Sequence, residues 1–285
     1  MVVKIWGCRG SIPSPGRDTV RYGGESTCLE IIINGRRIIV DAGSGIRRLG
    51  KRMLQEGSAG EANFLLTHMH WDHLAGFPFF RPAYLPGYRF NLCGAADPQG
   101  AVLKYLRHQM DPPYFPVDFS ILKAEFHEAC DCERGNCRHM LPGIEEARCE
   151  SIALNHPNGG FGFKLTEAGR SFIFLTDNEL GFRHPEGLPR EDYVELCRGA
   201  ELLIHDAQYT DAQYKVTRSW GHSTFGDAVD LALEAGVLRL GLFHHDPDRT
   251  DDELDEIVTW CRARIAAAGS QLECFACADG MELEV

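Results

Sequence analysis

The chain has 285 residues, 44% of them hydrophobic and 25% charged, with a mean hydropathy of −0.23. These values exclude intrinsic disorder and suit a globular protein with a sizeable core. The formal net charge of −12 argues against broad adhesion to a phosphate backbone, which rests on many Lys and Arg contacts; a small anion met by local cations remains open.

In chain order, Val2 to Ile5, Cys28 to Ile33 and Arg37 to Val40 are short β-branched runs, and Asn34-Gly35 between the last two is a hairpin signal. Ile46 to Leu54 has helical spacing, and the apolar run Asn63 to Leu66 predicts a strand that ends just before a His cluster. Phe77 to Tyr88 carries Pro78, Pro82 and Pro86 among aromatics and reads as an extended rim. Ala101 to Met110 follows as a helix stopped by Asp111-Pro112-Pro113. Gly162 to Leu165 and Phe172 to Leu175 predict paired strands, Glu191 to Arg198 a helix and Leu202 to Ile204 a strand. Thr224 to Ala235 predicts a helix stopped by Gly236, Arg239 to Phe243 a strand and Asp251 to Ala268 the last helix. Strands come first and then alternate with helices, without repeat or linker, so one domain over residues 1–285 with two sheets between helices is expected. No run has the apolar length of a membrane span, and Met1 to Gly7 lacks a basic segment followed by a long apolar one, so no membrane partner and a cytoplasmic location are expected. The 11 Cys are odd in number and scattered, which reads as reduced thiols, with Cys28, Cys93, Cys197 and Cys261 in the core.

The chemistry concentrates in Thr67-His68-Met69-His70-Trp71-Asp72-His73, which sets three imidazoles and a carboxylate within six positions after a strand. Imidazole nitrogen and carboxylate oxygen are ligands suited to zinc, manganese or iron, and a cluster without Cys favours an open hydrolytic site over a closed structural one.

This His-x-His-x-Asp-His segment resembles the signature of the metallo-β-lactamase superfamily. Val40-Asp41-Ala42-Gly43 is similar to the family's first motif, and Asn155-His156, Thr176-Asp177 and Phe243-His244 each close an apolar segment, as the family's remaining ligand loops do. The resemblance implies an α/β fold, a four-layer αββα sandwich, and two divalent cations per chain. One would be held by His68, His70 and His156, and the other by Asp72, His73 and His244. Asp177 would bridge them, and Asp41 would orient the site from behind the ligands. His245, next to His244, is expected behind the ligands or facing substrate.

A finer resemblance is to the ribonuclease Z-like branch, which includes cyclic-phosphate phosphodiesterases. It rests on Gly7-Cys8-Arg9-Gly10-Ser11, Gly24-Glu25-Ser26-Thr27, Leu203-Ile204-His205-Asp206-Ala207-Gln208 and Gly221-His222-Ser223-Thr224. It implies that Asp206 orients His222, which protonates the leaving group, while Asp177 positions the attacking water. Asp206 stands where the branch usually has Glu, and Gln208 where it has Thr. With the acidic balance and no basic arm, these departures favour a small or cyclic nucleotide phosphodiester and make extended nucleic acid an unexpected partner. The rim aromatics Phe77, Phe79, Phe80, Tyr84, Tyr88, Tyr114 and Phe115 would stack a base, with Arg81 or Arg9 meeting phosphate, but such aromatics more often fill the core or border a second copy in a homodimer. Other readings of the same scaffold are a tRNA-processing nuclease, a thioester or lactone hydrolase, and a non-enzymatic di-iron sensor. Finally, the stretch from Phe126 to Glu150 reads as a Cys-rich insertion. Its Cys130, Cys132, Cys137 and His139 offer four soft ligands for an extra structural zinc, against free or redox-active thiols.

Overall fold

The computed structural model describes residues 1–57, 59–94, 102–128 and 138–285. The described residues form two seven-stranded sheets. In the first, β1 (Val2–Gly7), β2 (Cys28–Ile33), β3 (Arg36–Val40), β4 (Glu61–Leu66), β5 (Arg89–Gly94) and β6 (Glu125–Glu128) lie side by side in chain order. The second has β7 (Arg138–Leu141), β8 (Ile144–Ala153), β9 (Phe161–Glu167), β10 (Arg170–Leu175), β11 (Leu202–Asp206), β12 (Arg239–Phe243) and β13 (Glu273–Ala276), again side by side. The C-terminal β14 (Glu282–Glu284) returns to pair with β1 of the first sheet.

Each sheet begins antiparallel and turns parallel, at β3–β4 in the first and at β10–β11 in the second. The β2–β3 hairpin turns on Asn34 and Gly35, both left-handed at φ 48° and 76°, as a two-residue turn that matches the strand twist requires. Parallel neighbours need crossovers, and helices supply them. They are α1 (Ile46–Glu56) after β3, the single turn α2 (Trp71–Leu74) after β4, and α3 (Val102–His108) after β5. In the second half, α4 (Arg190–Cys197) follows β10, α5 (Asp211–Thr217) and α6 (Phe225–Ala235) follow β11, and α7 (Asp251–Ala267) follows β12. The Thr224 hydroxyl caps α6 by accepting from the Asp227 amide, and Gly236 ends the helix at φ 66°.

Three apolar layers hold the sandwich. Between the sheets lie Val3, Ile5, Ile31, Val40, Phe172 and Phe243. Outside the second sheet, Tyr193, Val229, Leu231 and Ile265 seat α4, α6 and α7. Outside the first, Phe64 meets Phe77, Phe80 and Phe90 edge to face, with ring centres 6.4–6.5 Å apart. The expected αββα sandwich is the observed fold. The rim is largely core, however: Phe77, Phe80 and Tyr88 are buried, because Pro78 and Pro82 start two short 3₁₀ turns that roll the chain back onto α1. Phe79 and Tyr114 do stand exposed.

The described residues of the stretch 126–150 contribute most of β6, all of β7 and most of β8. Cys149 packs into the inter-sheet core, and His139 pairs opposite it through the backbone. Cys130, Cys132 and Cys137 lie outside the described residues. Cys28, Cys93, Cys197 and Cys261 are buried free thiols. Among the described residues no helix is long and apolar enough to cross a membrane.

Candidate metal-dependent active site

Six strands deliver polar side chains to one end of the sandwich. Asp41 follows β3, His68 comes two positions after β4, His156 three after β8, and Asp177 two after β10; Asp206 ends β11, and His244 follows β12. Three of them, Asp41, Asp177 and His244, are left-handed at φ 60°, 52° and 57°. A non-glycine residue adopts that conformation at a cost, and here it swings the side chain out of the strand's alternation into a shared pocket. Gly10 leaves the room that His244 occupies: a Cβ there would lie 2.3 Å from the ring Nδ1.

Two groups of donor atoms stand out, His68, His70 and His156 in one and Asp72, His73, Asp177 and His244 in the other, all within 4.8 Å of one another inside each group; a third such group, Asp177, Asp206, His222 and His244, overlaps the second. In the first, His156 Nε2 and His70 Nδ1 face each other at 3.0 Å. His156 spends its Nδ1–H on the Gly221 carbonyl at 3.0 Å, and His68 Nδ1 lies 3.1 Å from the Thr67 hydroxyl, so both Nε2 lone pairs point inward. Burial drives protons off all three rings, His156 down to about 3, which leaves them in the neutral form that binds cations.

In the second group, His73 Nδ1 lies 2.8 Å from Asp41 Oδ2, and Asp41 also accepts from the Thr67 amide and hydroxyl, both at 2.8 Å. His244 Nδ1 meets Gln208 Oε1 at 3.1 Å. The two Nε2 atoms converge on Asp72 Oδ2, at 3.3 and 3.0 Å, where the Ser11 amide also donates. Burial opposes protonation of His73 and His244, but the nearby carboxylates outweigh it: His73 is raised and His244 reaches about 9. Such a carboxylate excess is what a divalent cation neutralises.

Asp177 joins the groups. Its Oδ1 lies 3.2 and 3.3 Å from His73 and His244, and its Oδ2 lies 3.6 and 3.7 Å from His68 and His156. His68 Nε2, His73 Nε2 and Asp177 Oδ2 are buried without a hydrogen-bond partner. Three such atoms converging in one pocket fit metal ligands, because isolated polar atoms in that state are costly.

Beside the pocket, His222 Nδ1 lies 2.7 Å from Asp206 Oδ2 and 4.0 Å from Asp177 Oδ2, and its ring stacks on His244 at 4.7 Å. Asp206 is fixed in turn by the amides of Gln208 and Ser223, both at 3.2 Å. His245 lies behind the ligands rather than facing substrate, with Nε2 2.9 Å from the Cys277 carbonyl, and burial lowers its pKa to about 3. Arg9 is fully buried and bonds the carbonyls of Gly23, Asp246 and Arg249, so it is not open to a phosphate. Sequence reading missed Gln208 and Thr67 as orienting residues; their positions, two after the Asp206 motif acid and immediately before His68, are the signals that mark them.

A family model described as a β-lactamase superfamily domain matches residues 36–245. The chain belongs to the metallo-β-lactamase superfamily. It is 24% identical to the ribonuclease Z of Haloarcula marismortui, in an alignment covering 100% of this chain and 97% of that protein. Among solved structures, human tRNase Z, short form, superposes with a TM-score of 0.63 at 20% identity, covering 100% of this chain and 99% of that one. The metallo-β-lactamase fold protein YhfI of Bacillus subtilis gives 0.70 at 15% identity, covering 100% and 98%. With the donor set described, the chain is a metal-dependent hydrolase of this superfamily. End-to-end likeness to proteins named for RNA cleavage overturns the expectation of a small-molecule partner with extended nucleic acid unexpected. Net charge sums the whole surface and does not fix the field at the pocket, where bound cations dominate.

Proposed function

We propose that the protein is a two-metal phosphodiesterase of ribonuclease Z type that cleaves RNA. The observation that carries this reading is the Asp206–His222 pair, held at 2.7 Å beside two joined groups of metal donors. A thioester hydrolase expels a stabilised thiolate and has little use for a positioned proton donor, whereas a departing ribose oxygen needs one.

His68, His70 and His156 would hold one ion and Asp72, His73 and His244 the other, with an oxygen of Asp177 toward each. Zinc or manganese suits this nitrogen and oxygen set, with iron a third choice. When bound, the two cations supply Lewis acidity toward the phosphoryl oxygens and activation of a water. The chain does the rest. Asp177 keeps the two halves in register and orients the attacking water. Asp206 holds His222 by Nδ1–H, which leaves Nε2 to carry the transferable proton; as the P–O bond breaks, that proton passes to the leaving oxygen. A cytoplasmic location accords with an RNA substrate.

The test is cleavage of a precursor tRNA transcript by zinc- and manganese-loaded protein, run beside cyclic nucleotides, bis-p-nitrophenyl phosphate and the His222→Ala variant. Cleavage of the transcript is expected, with the variant keeping its metals and slowing by about 10²- to 10⁴-fold. Turnover of cyclic nucleotides without any RNA cleavage would overturn the RNA reading, and an unimpaired variant would overturn the role of His222.

A further inference from the structure

We infer that Glu179 is the positioning residue that builds the loop Ser219–His222, and through it sets both the proton donor His222 and the ring of His156. This rests on the reading of His222 and His156 just given. Glu179 lies two residues after Asp177 and is fully buried. Its carboxylate gathers four donors. Oε1 accepts from the Tyr214 hydroxyl at 2.6 Å and the Ser219 amide at 2.7 Å, and Oε2 accepts from the Gly221 amide at 2.8 Å and faces His184 Nε2 at 3.0 Å.

One turn bond, from the Trp220 amide to the Thr217 carbonyl at 3.0 Å, closes the loop from within. Ser219 and Gly221 are both left-handed, at φ 74° and 97°, and the serine adopts that conformation against its steric preference. Between them Trp220 is 61% exposed, so burial of the tip does not anchor the turn. What fixes both ends of the tip is one carboxylate bonding the amides on either side of Trp220.

Two consequences follow from that grip. The Gly221 carbonyl is aimed at His156 Nδ1, 3.0 Å away, which leaves Nε2 for the metal pocket. The approach is so close that a Cβ on Gly221 would lie 2.0 Å from that nitrogen. The next residue is His222, delivered to Asp206 at 2.7 Å. The amide of Glu179 also donates to the Asn155 carbonyl at 2.9 Å, tying the same residue to the strand end that presents His156. One side chain thus couples the proton donor to one half of the metal site.

Glu179→Gln keeps the size and turns one acceptor into a donor that faces other donors. A merely structural role would slow all substrates alike. Positioning of His222 instead predicts dependence on the leaving group, because p-nitrophenolate departs as a stabilised anion and a ribose oxygen does not. The rate on RNA should fall at least about 10-fold more than the rate on bis-p-nitrophenyl phosphate, as it should for His222→Ala. Affinity for one of the two metals, read by calorimetric titration, should fall about 10-fold as His156 loses its partner. Tyr214→Phe, which leaves both amide bonds, should show neither effect. Equal slowing of both substrates with unchanged metal binding, or a Tyr214→Phe variant that reproduces Glu179→Gln, would overturn the inference. If His222→Ala shows no leaving-group preference, the proton-donor reading fails, and the metal titration still judges Glu179. Glu179→Asp, which withdraws the acceptors by one methylene, takes the same tests if the glutamine variant does not fold.

Discussion

Two buried polar clusters share chain segments at one end of the sandwich and use similar residues for opposite purposes. His244 belongs to the metal pocket, and His245 to a frame behind it with Cys8, Arg9 and Asp279. In the frame, polar atoms are mostly spent on the main chain. Arg9 bonds three carbonyls, His245 a fourth, and Asp279 accepts from the Glu25 amide at 3.1 Å. In the pocket, the outer nitrogens are spent on orienting partners, and the inner ones converge. A buried polar residue is therefore read by its partners: main-chain partners mark a brace, and convergent lone pairs mark a binding site.

The contrast sets four expectations. Asp177→Asn should cut turnover on the order of 10³-fold while leaving the thermal stability of the metal-free chain unchanged or higher, since it removes a fully buried carboxylate with an unpartnered oxygen. Activity with metal loaded and melting temperature with metal removed check it. Arg9→Ala should do the reverse, lowering stability by about 3–5 kcal/mol in urea unfolding by emptying a buried site and leaving the Gly23 and Arg249 carbonyls without their donor. If the folded fraction of that variant is inactive, Arg9 is not a brace alone. Gln208→Ala should weaken metal binding by about 10- to 100-fold with the fold intact, read by chelator competition.

The smallest effect concerns pH. Burial raises the Asp279 carboxyl from 3.8 to about 6. The folded state holds that proton more tightly than the unfolded state, so the contribution favours folding below about pH 4 and is lost as pH rises through about 6. Asp279→Asn should remove this slope, roughly 1–2 kcal/mol between pH 4 and 7, as seen in paired melting curves.

Much of this architecture was legible from residue order. The alternation of β-branched runs with 3.6-residue spacing marked most strands and helices, and ligand types at strand ends marked the pocket. What escaped has physical causes. Arg89–Gly94 and Glu273–Ala276 are short strands with Asn, Gly or Glu among their apolar residues, and tertiary pairing rather than local pattern makes them strands. Phe77 and Phe80 looked like a rim because proline marks a break in a helix but not the direction the chain takes afterwards. Arg9 stood in a motif rich in Gly and Ser, where an exposed guanidinium and a buried one read alike until the carbonyls around it are known. Glu179 carried no motif of its own, and Gln208 stood in one without a role, because an orienting residue is defined by what it touches.

The central claim is that the imidazoles and carboxylates at the strand ends hold two cations joined by Asp177. Metal titration of the purified wild-type chain beside Asp177→Asn, with ions counted by mass spectrometry, tests it most directly. The account expects two divalent ions per wild-type chain and loss of at least one in the variant. A wild-type chain that binds fewer than two ions, or a variant that binds both as tightly as the wild type, would contradict it.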